Sequence, residues 1–344
     1  MAGGIGSRFW PMSTPEYPKQ FVDVMGCGKT MIQMTVERFA PICPMKNFWI
    51  VTSASYVPIV RKQLPEIPVE NILAEPCARN TAPCIAYACW KIKAKHPSAN
   101  IVVTPSDAFV PDKKAFAKTI KAALHFTEQK ESIVCLGIHP TFPSCEYGYI
   151  QEIPGNIFQE EGEFIRKVDS FKEKPHTELA QSYLEQGGYW WNAGIFVWSV
   201  AFIEKQLRRY APQIEEVMDL IEPALYERNE QEMLEEYFPT CEKISIDYAI
   251  MEKADEIYVF PANFGWSDLG TWGSLHNNTQ HDAHNNSLIG ENIHMYESRN
   301  CIVHTTQEKK VVVQGLDGYI VAEKDNTLLI CRLTEEQRIK EFSE

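Results

Sequence analysis

Short, wholly apolar runs alternate with amphipathic helical stripes through the first 138 residues, and this alternation restricts the chain to a layered α/β domain. The runs 48–52, 101–104 and 133–136 are compact and apolar, as strands covered on both faces must be. Between them, Ala82, Ile85, Ala86 and Cys89 fall at helical spacing, and Phe116, Ile120, Ala123 and Leu124 form a second stripe. A mostly parallel sheet is the expected result, with ligands gathering at the C-terminal ends of its strands. The segment 147–171 alternates more and carries Gly and Pro, 177–186 reads as helix and 189–198 as strand, together resembling an inserted substrate-binding half. Residues 199–238 carry Glu, Arg and Leu at helical spacing and predict two or three covering helices. After about residue 285 the texture changes to short β runs, 311–313, 320–322 and 328–330, separated by Gly315, Asp317, Gly318, Asp325 and Asn326.

A chain of 344 residues fits one large domain plus a smaller one, which we divide as 1–284 and 285–344. The net charge of −13 has no long basic run to offset it, so a nucleic-acid partner is disfavoured and a nucleotide is more plausible than a polymer. Ten cysteines lie scattered without CxxC pairs, which reads as reduced thiols and a cytoplasmic location. No apolar run approaches the roughly 18 residues of a spanning helix, so no membrane association is expected.

The opening Gly3-Gly4-Ile5-Gly6-Ser7-Arg8 can bring several backbone N–H groups and a fixed cation against a triphosphate. A flexible terminal tail is the alternative for this stretch taken alone. It is not a Rossmann fingerprint, because Phe9 stands where the third glycine belongs; nor is 26–30 a Walker A loop, because Asp23 occupies its first glycine. A phosphate loop should follow a buried strand, yet only Met1 and Ala2 precede Gly3. The expectation is that Met1 is an internal methionine and that a strand precedes it.

The loop continues as Arg8-Phe9-Trp10-Pro11 and Pro18-Lys19-Gln20-Phe21. Six further pieces follow in order: Glu75-Pro76-Cys77-Ala78-Arg79-Asn80-Thr81-Ala82-Pro83, Thr104-Pro105-Ser106-Asp107, Tyr147-Gly148-Tyr149-Ile150, Phe171-Lys172-Glu173-Lys174-Pro175, Trp191-Asn192-Ala193-Gly194-Ile195-Phe196 and Phe264-Gly265-Trp266-Ser267-Asp268-Leu269-Gly270. This series resembles the sugar nucleotidylyltransferases, and the Pro-Lys-Gln-Phe form is similar to their mannose-1-phosphate guanylyltransferase branch. The resemblance implies a Rossmann-like nucleotidyltransferase domain of the glycosyltransferase-A type, with a mixed sheet, followed by a small β-rich domain similar to a partial β-helix. It also implies GTP and mannose 1-phosphate as substrates, Mg2+ as the divalent cation and a homodimer. Some relatives carry a phosphomannose isomerase domain after this point, so isomerase activity is expected to be absent.

The reaction so implied asks for little covalent work. A sugar phosphate oxygen attacks an α-phosphorus in line and pyrophosphate leaves. With a second pKa near ~6, the phosphate monoester is already largely dianionic at neutral pH and needs no general base. Catalysis must then come from neutralising and aligning two anions, through Arg, Lys, backbone N–H groups and a hard cation.

The resemblance assigns Arg8 and Lys19 to the triphosphate as catalytic cations, and Gly3, Gly4, Gly6 and Ser7 to the phosphates. It assigns Asp107 and Asp268 to the metal, a suitable pairing because magnesium prefers carboxylate and phosphate oxygens. Taken singly, Asp107 is a turn or helix cap and Asp268 an N-cap for a helix beginning near Leu269. Glu75, Asn80 and Thr81 resemble the guanine-recognition segment, although Asn80 and Thr81 equally suit a helix cap. Gly148, Glu173, Lys174, Asn192 and Asp247 are implied for the sugar phosphate. Glu173–Lys174 as a solvated charge pair, and Asp247 as an N-cap, are the alternatives.

Two departures from the family pattern bear on the sugar. Ala108 stands where a histidine is usual, and Cys145-Glu146 replaces a small Thr-Gly pair, so Glu146 adds negative charge near an anionic substrate. These keep another sugar phosphate or another nucleoside triphosphate open as a substrate. A noncatalytic nucleotide-sugar sensor is the reading from another class; it predicts loss of Arg8, Lys19, Asp107 or Asp268, and all four are present. The cluster His276, His281 and His284 fits no zinc spacing and reads as a polar loop. Trp190, Trp191, Trp266 and Trp272 suit aromatic walls or, more commonly, core packing.

Overall fold

The computed structural model describes all residues except Ile5, Glu161, 306–308 and Glu344, together with the side chain of Ser7. The chain forms two compact units that interleave along the sequence. The first comprises residues 1–3, 38–105 and 110–266; the second comprises 4–37, 106–109 and 267–344.

In the first unit, β1 (Ile50–Ser53) and β2 (Ile72–Glu75) form a parallel pair. The main sheet takes β3 (Asn100–Val103), β4 (Ile133–Ile138), β5 (Tyr149–Glu160), β6 (Glu163–Lys172), β7 (Tyr189–Ser199) and β8 (Ile257–Ala262). Their order is β3-β7-β4-β8-β6-β5. Among hydrogen-bonded neighbours in this sheet β4 and β8 are parallel and the other pairs antiparallel; β7 lies antiparallel between β3 and β4, and also meets β5 through Tyr149–Trp191. The sheet is therefore mixed, as the resemblance implies; β1 and β2 pair in parallel, and β3 and β4, both antiparallel to β7, point the same way without being neighbours. The cause is nonlocal: β7, arriving about 50 residues after β4, inserts between two strands that are neighbours in sequence.

Both helical stripes form as read. The helix Thr81–Lys95 buries Ala82, Ile85, Ala86 and Cys89. In the helix Lys113–Gln129, Asp112 accepts from the N–H groups of Lys114 and Ala115, and Phe116, Ile120 and Ala123 are buried. Phe116 packs edge-on against Phe39 and Phe264; Phe116→Ala would cost about 3–5 kcal/mol through the cavity left behind. Three further helices, Val200–Tyr210, Pro212–Ile221 and Glu230–Tyr237, pack with Thr81–Lys95 into one apolar cluster. Met1–Gly3 also belongs to this unit. Ala2 exchanges hydrogen bonds with Val51 O and Thr52 Oγ1, and the Met1 amine donates to Thr104 O.

The second unit contains β9 (Ser287–Ile289), β10 (Ile293–Tyr296), β11 (Ile302–His304), β12 (Val311–Gln314), β13 (Tyr319–Lys324) and β14 (Thr327–Arg332). Ile302 aligns in parallel with both Ser287 and Ile320, and Ile293 with Val311, so successive coils stack as the rungs of a partial β-helix. An antiparallel hairpin of β13 and β14 closes the stack. Buried Asn286 ties two coils, donating to Ser298 O and accepting from Cys301 N. The apolar core beneath joins Ile302, Ile320, Ala322, Leu329 and Ile339 to Phe9, Met12, Val22, Leu269 and Trp272.

Candidate active site

The second unit holds the expected phosphate-binding residues other than Gly3, and one of them is a buried lysine. Lys19 is 4% exposed; its Nζ donates to Asp268 O at 2.7 Å and Leu269 O at 3.1 Å, and pairs with Asp107 Oδ2 at 3.0 Å. An ammonium has three protons, so these three oxygens satisfy it completely. An antiparallel bridge between Phe109 and Ser267 sets the Asp107 loop beside the Asp268 loop. Asp268 is not a helix cap: its Oδ1 accepts from Gly270 N, while Thr271 caps the helix Trp272–Asn277 through a capping box. A Cβ on Gly270 would lie 2.6 Å from Asp268 Oδ2, so a larger residue there would displace this carboxylate. Asp107 caps no helix either, since Asp112 has that role.

The glycine loop is held by neighbours the sequence reading passed over. Gly4 O accepts from buried Gln20 Nε2, and Gly6 O from buried Ser13 Oγ. Gly6 has φ +65, and a Cβ there would meet Lys19 Cβ at 2.5 Å. Ser7 opens a short turn with Arg8 and Phe9; the Ser7 side chain lies outside the described part. Lys19 Nζ also lies 5.8 Å from the Phe9 ring.

In the first unit, Glu75 ends β2, and a Cβ on Gly3 would lie 3.7 Å from Glu75 Oε2. Burial pushes the Glu75 carboxyl up to about 7, with the Cys84 thiol pulling it down by hydrogen bonding. Asn80 caps the helix at φ 67, its Oδ1 accepting from Thr81 N at 2.8 Å, and Thr81 Oγ1 accepts from Ile246 N at 2.9 Å. The capping role is thus real, and it leaves the Asn80 NH2 group and the Thr81 hydroxyl proton as donors.

The sugar-site candidates form one network in the same unit. Asn192 Nδ2 donates to Asp247 Oδ1 at 2.9 Å, Asn192 Oδ1 accepts from Gly194 N, and Asn192 N donates to Gly148 O. A Cβ on Gly148 would meet Glu173 Oε2 at 2.8 Å. Burial first, then the charge of Glu173, raises the Asp247 carboxyl to about 6, against Lys174 and the Asn192 hydrogen bond. Asp247 caps no helix; it is the first residue of the π-helical turn Asp247–Met251, where Ser245 Oγ accepts from Tyr248 N. Lys174 and Glu173 pair at 3.0 Å, the lysine largely exposed. Glu146 is exposed, its backbone N–H on Ser144 Oγ. Trp191 and Trp266 join Tyr147 in an edge-to-face aromatic cluster, whereas Trp272 is core. His276 and His281 stack, each with Nε2 against a backbone carbonyl.

The nucleotidyl transferase family profile matches residues 1–285. The chain belongs to that family. Among curated relatives, this nucleotidyltransferase is 33% identical to a mannose-1-phosphate guanylyltransferase of Escherichia coli, over 99% of this chain and 73% of the relative. It is likewise 33% identical to the alginate biosynthesis protein AlgA of Pseudomonas syringae pv. tomato, over 99% of this chain and 70% of that protein. Among solved structures it is similar to a mannose-1-phosphate geranyltransferase from Thermus thermophilus, with a TM-score of 0.86 at 30% identity, covering 100% of this chain and 96% of the other. Among the described residues of the nucleotidyltransferase, no helix is long and apolar enough to cross a membrane.

Proposed function

We propose that this nucleotidyltransferase joins mannose 1-phosphate to GTP, releasing pyrophosphate and forming GDP-mannose, as the names of its curated relatives suggest. The observation carrying the reading is the buried ammonium of Lys19 that draws Asp107, Asp268 and the glycine loop together. Arg8, Lys19 and the N–H groups of Gly3, Gly4, Gly6 and Ser7 would stabilise the charge spread over the reacting phosphates. Because Asp107 is 40% exposed, its ion pair is the cheapest of the three Lys19 contacts to exchange for a phosphate oxygen.

The donor set fits magnesium. Two carboxylates lie on adjoining loops, and no group of three or more His, Cys, Asp or Glu able to hold a metal occurs among the described residues. Magnesium characteristically takes one or two carboxylates and completes its shell with waters and substrate phosphates. Asp107 and Asp268 would hold it, and it would supply charge neutralisation at the phosphates.

For the base, the spare donors on Asn80 and Thr81 suit guanine O6 and N7, and the acceptor oxygens of Glu75 suit its N1–H and N2–H2 groups. For the sugar, Asn192 retains one N–H, and Glu173 and Asp247 are acceptors for hydroxyls, with Lys174 for the phosphate. Glu146 is exposed, which keeps its charge screened by water. The reading also carries a homodimer, a cytoplasmic location and a functional division at 284/285 as proposals. Its test is pyrophosphate release with Mg2+ and mannose 1-phosphate, offering GTP, ATP, CTP and UTP separately. GTP-selective release is expected; equal release from all four, or release only with another sugar phosphate, would overturn the assignment of base or sugar.

A further inference from the structure

The glycine loop is tethered from the far end of the chain. Lys324 Nζ donates to Met12 O at 2.7 Å across 312 residues, and lies 5.0 Å from the ring of Tyr17. Lys324 is the last residue of β13. It pairs with Thr327 around a turn whose residues Asp325 and Asn326 both have positive φ, a tight two-residue connection that fixes where the stem emerges. Half-burial lowers its pKa, as expected for an ammonium drawn from water toward a carbonyl. Ile320 and Ala322 of the same strand share an apolar core with Met12.

The tether continues inward. Ser13, 1% exposed, donates N–H to Phe9 O and its hydroxyl to Gly6 O. Gly6 in turn abuts Lys19, the residue that binds Asp107 and the Asp268 loop. Thr14 and Tyr17 close the intervening turn by reciprocal backbone hydrogen bonds. Every link lies within the second unit.

We propose that Lys324 is a positioning residue for nucleotidyl transfer: by holding the Met12 carbonyl it fixes the Met12–Ser13 segment, which sets the Gly6 carbonyl and the glycine loop against Lys19. The inference rests on the reaction proposed above. It makes the β-rich tail part of the phosphate-binding apparatus, although no tail residue is assigned to substrate.

The test compares wild type, Lys324→Met, Lys324→Arg and Ser13→Ala. Methionine keeps much of the apolar stem and removes the charged donor; arginine restores a donor. Amide hydrogen exchange is measured without substrate on peptides covering residues 6–17, and steady-state constants are measured for each substrate. Lys324→Met should exchange faster in that segment and raise the KM for GTP about tenfold, the order expected when a charged hydrogen bond is lost. The KM for mannose 1-phosphate should stay within about twofold, Lys324→Arg should recover part of the loss, and Ser13→Ala should reproduce it. Unchanged exchange, or faster exchange with an unchanged KM for GTP, overturns the proposal. Should Lys324→Met fail to fold, Ser13→Ala and Lys324→Arg decide by the same two readouts. If wild type itself does not turn over with GTP, the reaction assignment fails, while the exchange comparison still decides whether Lys324 orders the loop.

Discussion

Asp107, in the unit that includes the β-rich tail, faces an ammonium; Asp247, in the unit built on the large sheet, faces another carboxylate. The two regions handle negative charge by opposite means. Around Lys19 the protein supplies a cation and keeps Asp107 partly in water, which suits a place where polyanions must be neutralised. Around Asn192, burial and the neighbouring Glu173 push Asp247 toward its protonated form, and burial does the same to Glu75. Such groups exchange hydrogen bonds with uncharged partners, which suits hydroxyls and a base. The contrast teaches that counting carboxylates says less than asking what each one faces.

The sharpest way to break this comparison is at Lys19. Lys19→Met should lower turnover on the order of 10³-fold and also lower the melting temperature, because Asp107 and two carbonyls lose their shared donor. Asp268→Asn should lower turnover about 10²-fold or more with little change in melting, since the shape and the Gly270 contact survive. Similar melting losses in both variants would show that the lysine is no more structural than the aspartate. A smaller effect is expected at Gly148→Ala. Its Cβ collides with Glu173, so the KM for mannose 1-phosphate should rise about tenfold while that for GTP stays unchanged; a rise in both would erase the separation between regions.

The buried carboxylates predict a pH signature. Glu75 has a folded-state pKa of about 7, above its ordinary 4.5, so between these values the folded chain binds more protons than the unfolded one. Stability therefore falls as pH rises from about 4.5 to about 7, by up to about 3 kcal/mol from this group. Glu75→Gln should flatten that decline and raise the melting temperature by several degrees at pH 8, with some loss of GTP selectivity. A parallel pH dependence in wild type and variant would remove Glu75 from the account. The smallest effect is expected for Glu146→Gly: the side chain is exposed, and the KM for mannose 1-phosphate should change less than about threefold.

What could be read from the sequence followed short range. The stripes of both long helices, the helical segment Thr177–Gln186 and the late β runs all appear where periodicity and turn residues place them. Gln20 and Gly270 lie within the family-like motifs, and only their geometry shows what they hold. The cap roles considered for Asp107, Asp247 and Asp268 were wrong because every Asp before an apolar run looks alike; Asp112 and Thr271 took the caps. The insertion of β7 between β3 and β4 left no local trace, since strand order depends on pairing across the whole domain. Ser13 and Lys324 were equally silent, their partners being a carbonyl in each case, which every residue provides.

The ladder of contacts around Lys19 also sets a timetable for the growing chain. Its two carbonyl partners follow it by 249 and 250 residues, which at about 5–20 residues per second is on the order of 10–50 s of synthesis. Until those residues are made, Asp107 is the one of its three partners already synthesised. A ribosome that stops before Asp268 therefore leaves Lys19 without the two carbonyls that hold it.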